Sequence, residues 1–234
     1  MRFINYKEAW QGIANCSQCS IRQSVLFAGL TEEDFKTIHK PIDQFQLESG
    51  SKIYGTGDTA KYMYTIRSGL VKLVQYLPDG TQRIVRLLKT SDVIGLEAVL
   101  DPVYKHDAIT LQDTEICRYP AAAAHEFSIT NPKLHREMMS RWQRALDEAD
   151  SWVTQLSTGT SKQRVARLII LLAKGSEDSS CSLIGREDMG AMLGITTETA
   201  SRTVAGFKRE DLLIKITPST FRCDVGRLQE ISYG

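Results

Sequence analysis

At 234 residues, 42% hydrophobic and 24% charged, with a formal net charge of +1, the chain has the makeup of a globular protein with room for two ordinary domains. No apolar run reaches the length of a membrane span, and the opening Met1-Arg2-Phe3-Ile4-Asn5 lacks the apolar core of a secretory signal; the cytoplasm is the expected compartment and a membrane is not an expected partner. Near-neutral charge excludes a generally sticky polyanion binder.

The first chemical signal is Cys16-x-x-Cys19. In a reducing compartment such a pair points to metal, cluster or redox chemistry rather than to a structural disulfide. Zinc is disfavoured, because His39, His106, His125 and His135 show no paired ligand spacing with the cysteines.

From about Phe45 to Pro120 the pattern is of short β-rich segments punctuated by glycine. Tyr62 to Arg67 ends at Ser68-Gly69. Leu70 to Tyr76 runs into the turn signal Pro78-Asp79-Gly80, which leads to Gln82 to Leu88. Asp92 to Gly95, Ala108 to Leu111 and Glu115 to Tyr119, the last carrying Cys117, complete a set that suggests a sandwich or barrel.

After four alanines at 121–124 the sequence becomes helical. Leu134, Met138, Trp142, Ala145, Ala149, Trp152 and Leu156 follow at spacings of three and four, a heptad-like seam with charged flanks. A helix packed on its own domain gives a similar stripe, and dimerisation is the reading adopted. Ser157-Thr158-Gly159-Thr160 reads as a hinge. Val165, Leu168, Ile169 and Leu172 form the next helix, stopped at Gly175, and Glu177 to Ser180 is a polar loop.

Ser182 to Leu213 reads as two short amphipathic helices across a glycine turn. Met189, Met192 and Leu193 recur at helical spacing, with Glu187 and Asp188 in the first turn, where the helix dipole favours negative charge. Gly194-Ile195 breaks that helix and Thr196 is the candidate N-cap of the next. Along the second helix Ala200, Val204 and Phe207 make an apolar stripe, while Glu198, Ser201 and Arg202 stand together on another face. A steep helix pair across a short glycine turn is the helix-turn-helix unit, whose second helix enters the DNA major groove. There an arginine reads guanine, a carboxylate reads the cytosine amino group and a hydroxyl fits either partner of many pairs.

A solvated helix face with an incidental Glu to Arg pair is the bland alternative; the preceding helix and turn favour recognition. Arg186, Lys208 and Arg209 are candidate phosphate contacts. From Thr160 onward 11 Lys or Arg stand against 9 Asp or Glu, leaving 18 against 19 before it, so affinity must come from placed contacts. Leu213 to Ile216, a turn at Thr217 to Thr220, and Phe221 to Cys223 suggest a hairpin wing. Cys181 and Cys223 read as buried or idle thiols.

Gly185 to Leu213, above all Thr196-Thr197-Glu198-Thr199-Ala200-Ser201-Arg202, resembles the DNA-reading motif of the bacterial regulators grouped around the cyclic-AMP receptor protein and the fumarate and nitrate reduction regulator. The likeness runs, with interruptions, from about Cys16 to the C-terminal region. It implies that Glu198, Ser201 and Arg202 are base-reading residues, and that Thr197 stands where the cyclic-AMP branch has a further arginine. A palindrome of TTGA-like half-sites is therefore expected. The same resemblance narrows the β region to a double-stranded jelly roll and implies RNA polymerase contact through loops such as Pro78-Asp79-Gly80.

In those relatives three closely spaced N-terminal cysteines and a distant one hold an oxygen-sensitive [4Fe-4S] cluster. Cys16, Cys19 and Cys117 match three of the four, and Val25 occupies the remaining position. An iron-sulfur cluster, a thiol redox switch at Cys16 and Cys19, and the loss of any cluster are all open on this pattern. Nucleotide-binding relatives carry Gly-Glu-Leu near Gly95-Leu96-Glu97 and Arg-Ser near Lys105-His106-Asp107. Without that arginine, and with Asp107 facing a cyclic phosphate, cyclic AMP is not expected, although Lys105 leaves another anion open.

The expectation is an α+β protein that is not an enzyme: a cysteine-containing segment (1–28), a jelly-roll sensor (29–130), a dimerisation helix (131–158) and a winged helix-turn-helix (159–234). It is expected to act as a homodimeric transcription regulator, an activator, answering oxygen, redox state or nitric oxide, with double-stranded DNA and RNA polymerase as partners. The rivals are a thiol-redox enzyme or a small-molecule receptor using Cys16 and Cys19.

Overall fold

Alternation of buried and exposed residues along the β-rich region resolves into two facing five-stranded sheets. The computed structural model describes residues 2–16, 19–21, 24–28, 31, 42–174, 176 and 178–233. Gly175 and His39, named above as a helix stop and a rejected ligand, lie outside the described residues. The strands are β1 (Arg2–Phe3), β2 (Trp10–Ile13), β3 (Asp43–Leu47), β4 (Ser51–Tyr54), β5 (Tyr62–Ser68), β6 (Leu70–Tyr76), β7 (Gln82–Lys89), β8 (Val93–Ile94), β9 (Asp107–Thr110) and β10 (Thr114–Pro120). One sheet has the order β1-β4-β9-β6-β7 and the other β2-β3-β10-β5-β8.

Phe45, Ile66, Val71, Leu73, Ile94, Ala108 and Ile116 fill the space between the sheets. Their alternation with exposed neighbours is what fixes the register, since a one-residue slip would turn each strand's apolar set outward. Two devices stiffen this core. Arg118 pairs with Asp43 at 2.8 Å and lies 4.4 Å from the Tyr62 ring centroid. Tyr54 and Tyr104 stack at 3.7 Å, and Tyr104 Oη donates to the Tyr62 carbonyl at 2.6 Å. The Pro78-Asp79-Gly80 turn forms as read: Gly80 holds φ +82 and the Thr81 amide donates to Asp79 Oδ1 at 2.8 Å. The N-terminal β1, β2 and the short helix α1 (Tyr6–Ala9) were not legible in the sequence, being only two to four residues long.

Helix α2 (Ala121–Thr130) follows β10, and α3 (Pro132–Ser151) follows it after one residue. Asn131 caps α3, its Oδ1 accepting from the amides of Lys133 and Leu134 at 3.1 Å each, with Pro132 at the first helical position. The apolar stripe of α3 divides in two, which corrects the seam drawn from spacing. Leu134 and Met138 are buried with Leu26, Phe27, Met63 and Tyr119 in their own domain's core, and Leu156 is also buried. The apolar residues left facing out are one position along: Met139 (42% exposed), Leu146 (57%) and Val153 (67%), with half-buried Trp142 and Ala149 between them. Leu134 and Met138 stand four apart and Met139, Leu146 and Val153 seven apart, all of them helical spacings, so periodicity could not say which set the sheet would claim. Trp152–Leu156 closes the helix as a single π-turn.

Arg141 fixes α3 in its domain. Only 7% exposed, it donates from Nη1 to the Ser91 carbonyl (2.6 Å), from Nη2 to the Ser24 carbonyl (2.7 Å) and from Nε to Glu137 (2.8 Å). Burial lowers its pKa, but three acceptors keep the buried cation satisfied.

The chain divides into two compact units, Met1–Gln75 with Val85–Leu146, and Tyr76–Ile84 with Asp147–Gly234. In the second, Thr160 and Gln163 form a capping box that starts α4 (Ser161–Ala173). Strand β11 (Ser180–Ser182), helix α5 (Arg186–Leu193), helix α6 (Thr197–Arg209), strands β12 (Leu213–Lys215) and β13 (Thr220–Cys223), and helix α7 (Val225–Tyr233) complete it. The wing is a three-stranded sheet, β11-β13-β12, rather than the hairpin expected, because the end of the polar loop supplies β11. Helix α7 also went unread. No helix among the described residues is long and apolar enough to cross a membrane.

Gly194 ends α5 at φ +63, a left-handed C-cap. Gly190 permits the close approach of the turn: a Cβ there would lie 2.7 Å from the Ile195 carbonyl oxygen. Gly190→Ala is therefore expected to cost about 1–3 kcal/mol of stability through overpacking against backbone, measurable as a lower urea midpoint, whereas exposed Gly226→Ala should change it little.

Candidate nucleic-acid interface

Two faces of α6 do different work. Ala200, Val204 and Phe207 are at most 1% exposed, as their spacing required, and they orient the helix. Thr196 begins it in extended conformation, its Oγ1 accepting from the Thr199 amide at 3.2 Å. With the apolar stripe turned inward, Thr197, Glu198, Ser201 and Arg202 are all exposed on the first two turns. Glu198 is held as carboxylate, below its ordinary pKa, by its own backbone amide, then the Thr196 hydroxyl, and also by the Arg202 charge. The arrangement offers an acceptor, a hydroxyl and a five-donor cation to one groove.

The candidate phosphate contacts differ from one another. Lys208 is exposed and sits 4.2 Å from the Phe221 ring centroid; burial and the neighbouring charges of Arg186 and Lys215 lower its pKa. Arg186 is half-buried and donates to the Ile184 carbonyl at 3.3 Å, so it contributes charge more readily than a forked contact. Lys215, exposed on β12, joins this positive group and was missed, since one lysine in a short wing strand carries no pattern. Arg164 donates to the Leu193 carbonyl and so ties α4 to the end of α5.

Comparison with known proteins agrees with this layout. Residues 44–131 match the cyclic nucleotide-binding domain family and residues 163–231 the Crp-like helix-turn-helix domain family. A probable transcriptional activator of Rhizobium leguminosarum bv. viciae is 26% identical over 83% of this chain and 82% of its own length. Transcriptional activator protein FnrA of Stutzerimonas stutzeri is also 26% identical, over 86% and 85%. The structure of FixK2 from Bradyrhizobium japonicum superposes with a TM-score of 0.74 at 23% identity, covering 81% of this chain and 96% of that one. Jelly roll, long helix and outward-facing reading helix together define a DNA-binding transcription regulator, not an enzyme. The chain belongs to the CRP/FNR family of bacterial transcription regulators.

In the first unit, Cys16, Cys19 and Cys117 are brought to one cavity of about 40 Å³, lined also by Ile21, Val25, Thr65 and Arg67. Arg67 Nη1 is 3.9 Å from Cys117 Sγ and Arg67 Nε is 3.0 Å from Glu115. Val25 lines this cavity where a fourth thiolate would be needed. The space suits roughly three waters, not a body of four irons and four sulfides. Among the described residues no group of three or more Cys, His, Asp or Glu has metal-binding geometry. These residues do not fit a [4Fe-4S] cluster, which leaves a thiol switch or the loss of any cluster from the alternatives that the sequence left open.

At the position corresponding to a cyclic phosphate partner, Asp107 is 5% exposed, paired with Lys52 at 2.9 Å and accepting from the Thr56 amide at 2.7 Å. Burial opposes its charge, but Lys52 and Thr56 outweigh it and lower its pKa. Lys105 pairs with Asp101 at 3.5 Å.

Burial pushes the Cys117 thiol up to about 11, with Arg67 opposing and Cys16 and Cys19 reinforcing the shift. A raised thiol favours the protonated fold, so its contribution is present below the ordinary value of 9.0 and is lost as pH climbs towards 11. Alkylation of Cys117 should therefore be slow at neutral pH and quicken about tenfold per pH unit towards that value; peptide mapping of iodoacetamide-treated protein reads this directly, and a rate levelling off near pH 8 would contradict it.

Proposed function

We propose that the protein is a homodimeric transcription activator that binds palindromic, TTGA-like half-sites through α6 and responds to redox state through Cys16 and Cys19. The observation that carries the reading is the exposure of Glu198, Ser201 and Arg202 on one face of a helix whose other face is fully buried. Activation is supported by the names of the relatives, among them the transcriptional activator proteins FnrA and Anr. RNA polymerase is the partner proposed for the Tyr76 to Gly80 turn, where Tyr76 and Leu77 are exposed.

The two-fold symmetry a palindrome needs is assigned to Met139, Trp142, Leu146, Ala149 and Val153, a run of alternating three and four spacings. Pairing would cover the three most exposed apolar side chains of that run. A redox signal is the form of sensing retained, because the cavity holds thiols without a cluster's ligand set. The cavity segment also has a route to the pairing helix, since Ser24 is bound by Arg141, next to Trp142. A signal shifts the active arrangement only by its differential affinity for it.

Footprinting on a TTGA palindrome tests the reading of DNA. Protection is expected without cyclic AMP, and Arg202→Ala should lose about 1–3 kcal/mol per half-site; equally strong and selective protection by the variant would remove Arg202 from the interface. Sedimentation tests the pairing. Leu146→Glu should weaken the dimer about tenfold or more by burying an unpaired charge, whereas Gln143→Glu, exposed on the same helix, should leave its mass unchanged.

A further inference from the structure

The remaining two cysteines are unlike the first three. Cys181 on β11 and Cys223 on β13 are 3% and 4% exposed, and their sulfurs are 3.0 Å apart. Cys181 is directly opposite Phe221, and Cys223 lies two residues further along, so both project from the same face of the wing sheet as diagonal neighbours. Diagonal partners do not ordinarily touch. Here they do, and β13 is held in place by β12 on one side and β11 on the other, with the Cys223 amide donating to the Ser179 carbonyl at 3.0 Å.

We infer that Cys181 and Cys223 form an oxidation site within the reading domain, converted by a hydroperoxide to a disulfide that closes a ring around the whole helix-turn-helix. The intervening chain holds α5, α6 and β12, so the bond would limit how far the DNA-reading helices can separate from the wing when the domain unfolds. The sulfur contact can be donated from either side; with Cys181 as donor, the hydrogen bond lowers the Cys223 pKa and raises that of Cys181. That arrangement makes Cys223 the attacking thiolate. It takes oxygen from the peroxide, releasing an alcohol or water and leaving a sulfenic acid. The Cys181 sulfur then displaces hydroxide, which leaves as water with the Cys181 proton, so two thiols and one peroxide give one disulfide, one alcohol or water, and one water. Because β11 is an edge strand, it can shift towards β13 without breaking a second ladder.

This site needs none of the N-terminal thiols and stands whether or not Cys16 and Cys19 sense anything. The test uses the full chain in its native state. Protein treated with hydrogen peroxide is denatured in excess alkylating reagent and digested with trypsin without reductant. Peptide 175–186 should appear joined to peptide 223–227, and the joined species should vanish on reduction. Recovery of both cysteines as alkylated peptides, or of Cys223 joined to a peptide bearing Cys16, Cys19 or Cys117, would overturn the assignment. Thermal unfolding supplies the consequence: the midpoint of the oxidised protein should rise by several degrees and fall back with reductant. An unchanged or lower midpoint would overturn the locking role. Cys223→Ser, if it folds, should show neither the joined peptides nor the rise; Cys181→Ser should leave Cys223 as a sulfenic acid open to trapping by dimedone.

Discussion

The packing of three side chains, Ala200, Val204 and Phe207, sets the direction of everything that follows from α6. A helix has one rotational freedom about its axis, and burying this stripe removes it. Glu198, Ser201 and Arg202 need no contacts of their own to be aimed; they are aimed by the residues behind them. Thr196 and Gly194 then define where the helix starts, and Gly190 lets the preceding helix come close enough to hold that start. Chemistry at the surface is positioned here by packing beneath it.

The same logic, run on α3, explains where periodicity stopped being informative. Along α6 the apolar and polar sets differ in composition, so the buried side could be read directly. Along α3, Leu134 and Met138 compete with Met139, Leu146 and Val153, all apolar and at helical spacings. Which set the sheet would bury depends on Leu26, Phe27 and Tyr119, residues distant in sequence. Strands β5, β6 and β7 were legible because their apolar residues are bounded by Gly69 and by the turn at Pro78 to Gly80. Strands β1, β2 and β11 were not, since two to four residues are too short a run for alternation to show. For the cysteines, spacing suggested a cluster. Val25 in place of a fourth ligand already argued otherwise, and the structure added the position of Arg67 and the size of the space between the sulfurs. The proximity of Cys181 to Cys223 depends on strand pairing across the chain and had no signal in sequence.

The two groups of thiols have opposite physical settings. Cys117 is held protonated by burial against a guanidinium that only partly compensates. Cys223 shares a hydrogen bond with its partner, and its pKa is shifted down where that of Cys181 is shifted up. A single chain thus carries one set of sulfurs grouped around a small apolar-walled space and another stacked in the wing sheet, with different reactivities dictated by what surrounds them.

Arg141 gives the jelly roll a mechanical property of its own. Its guanidinium gathers carbonyl groups from Ser24 and from Ser91, two stretches far apart in sequence. Should the segment around Ser24 be drawn away, a charged group with almost no access to water would be left one acceptor short, and its most direct relief would be a small rotation or slide of the helix that bears it. Displacement of a loop would in this way become movement of a rod, with the guanidinium serving as the joint.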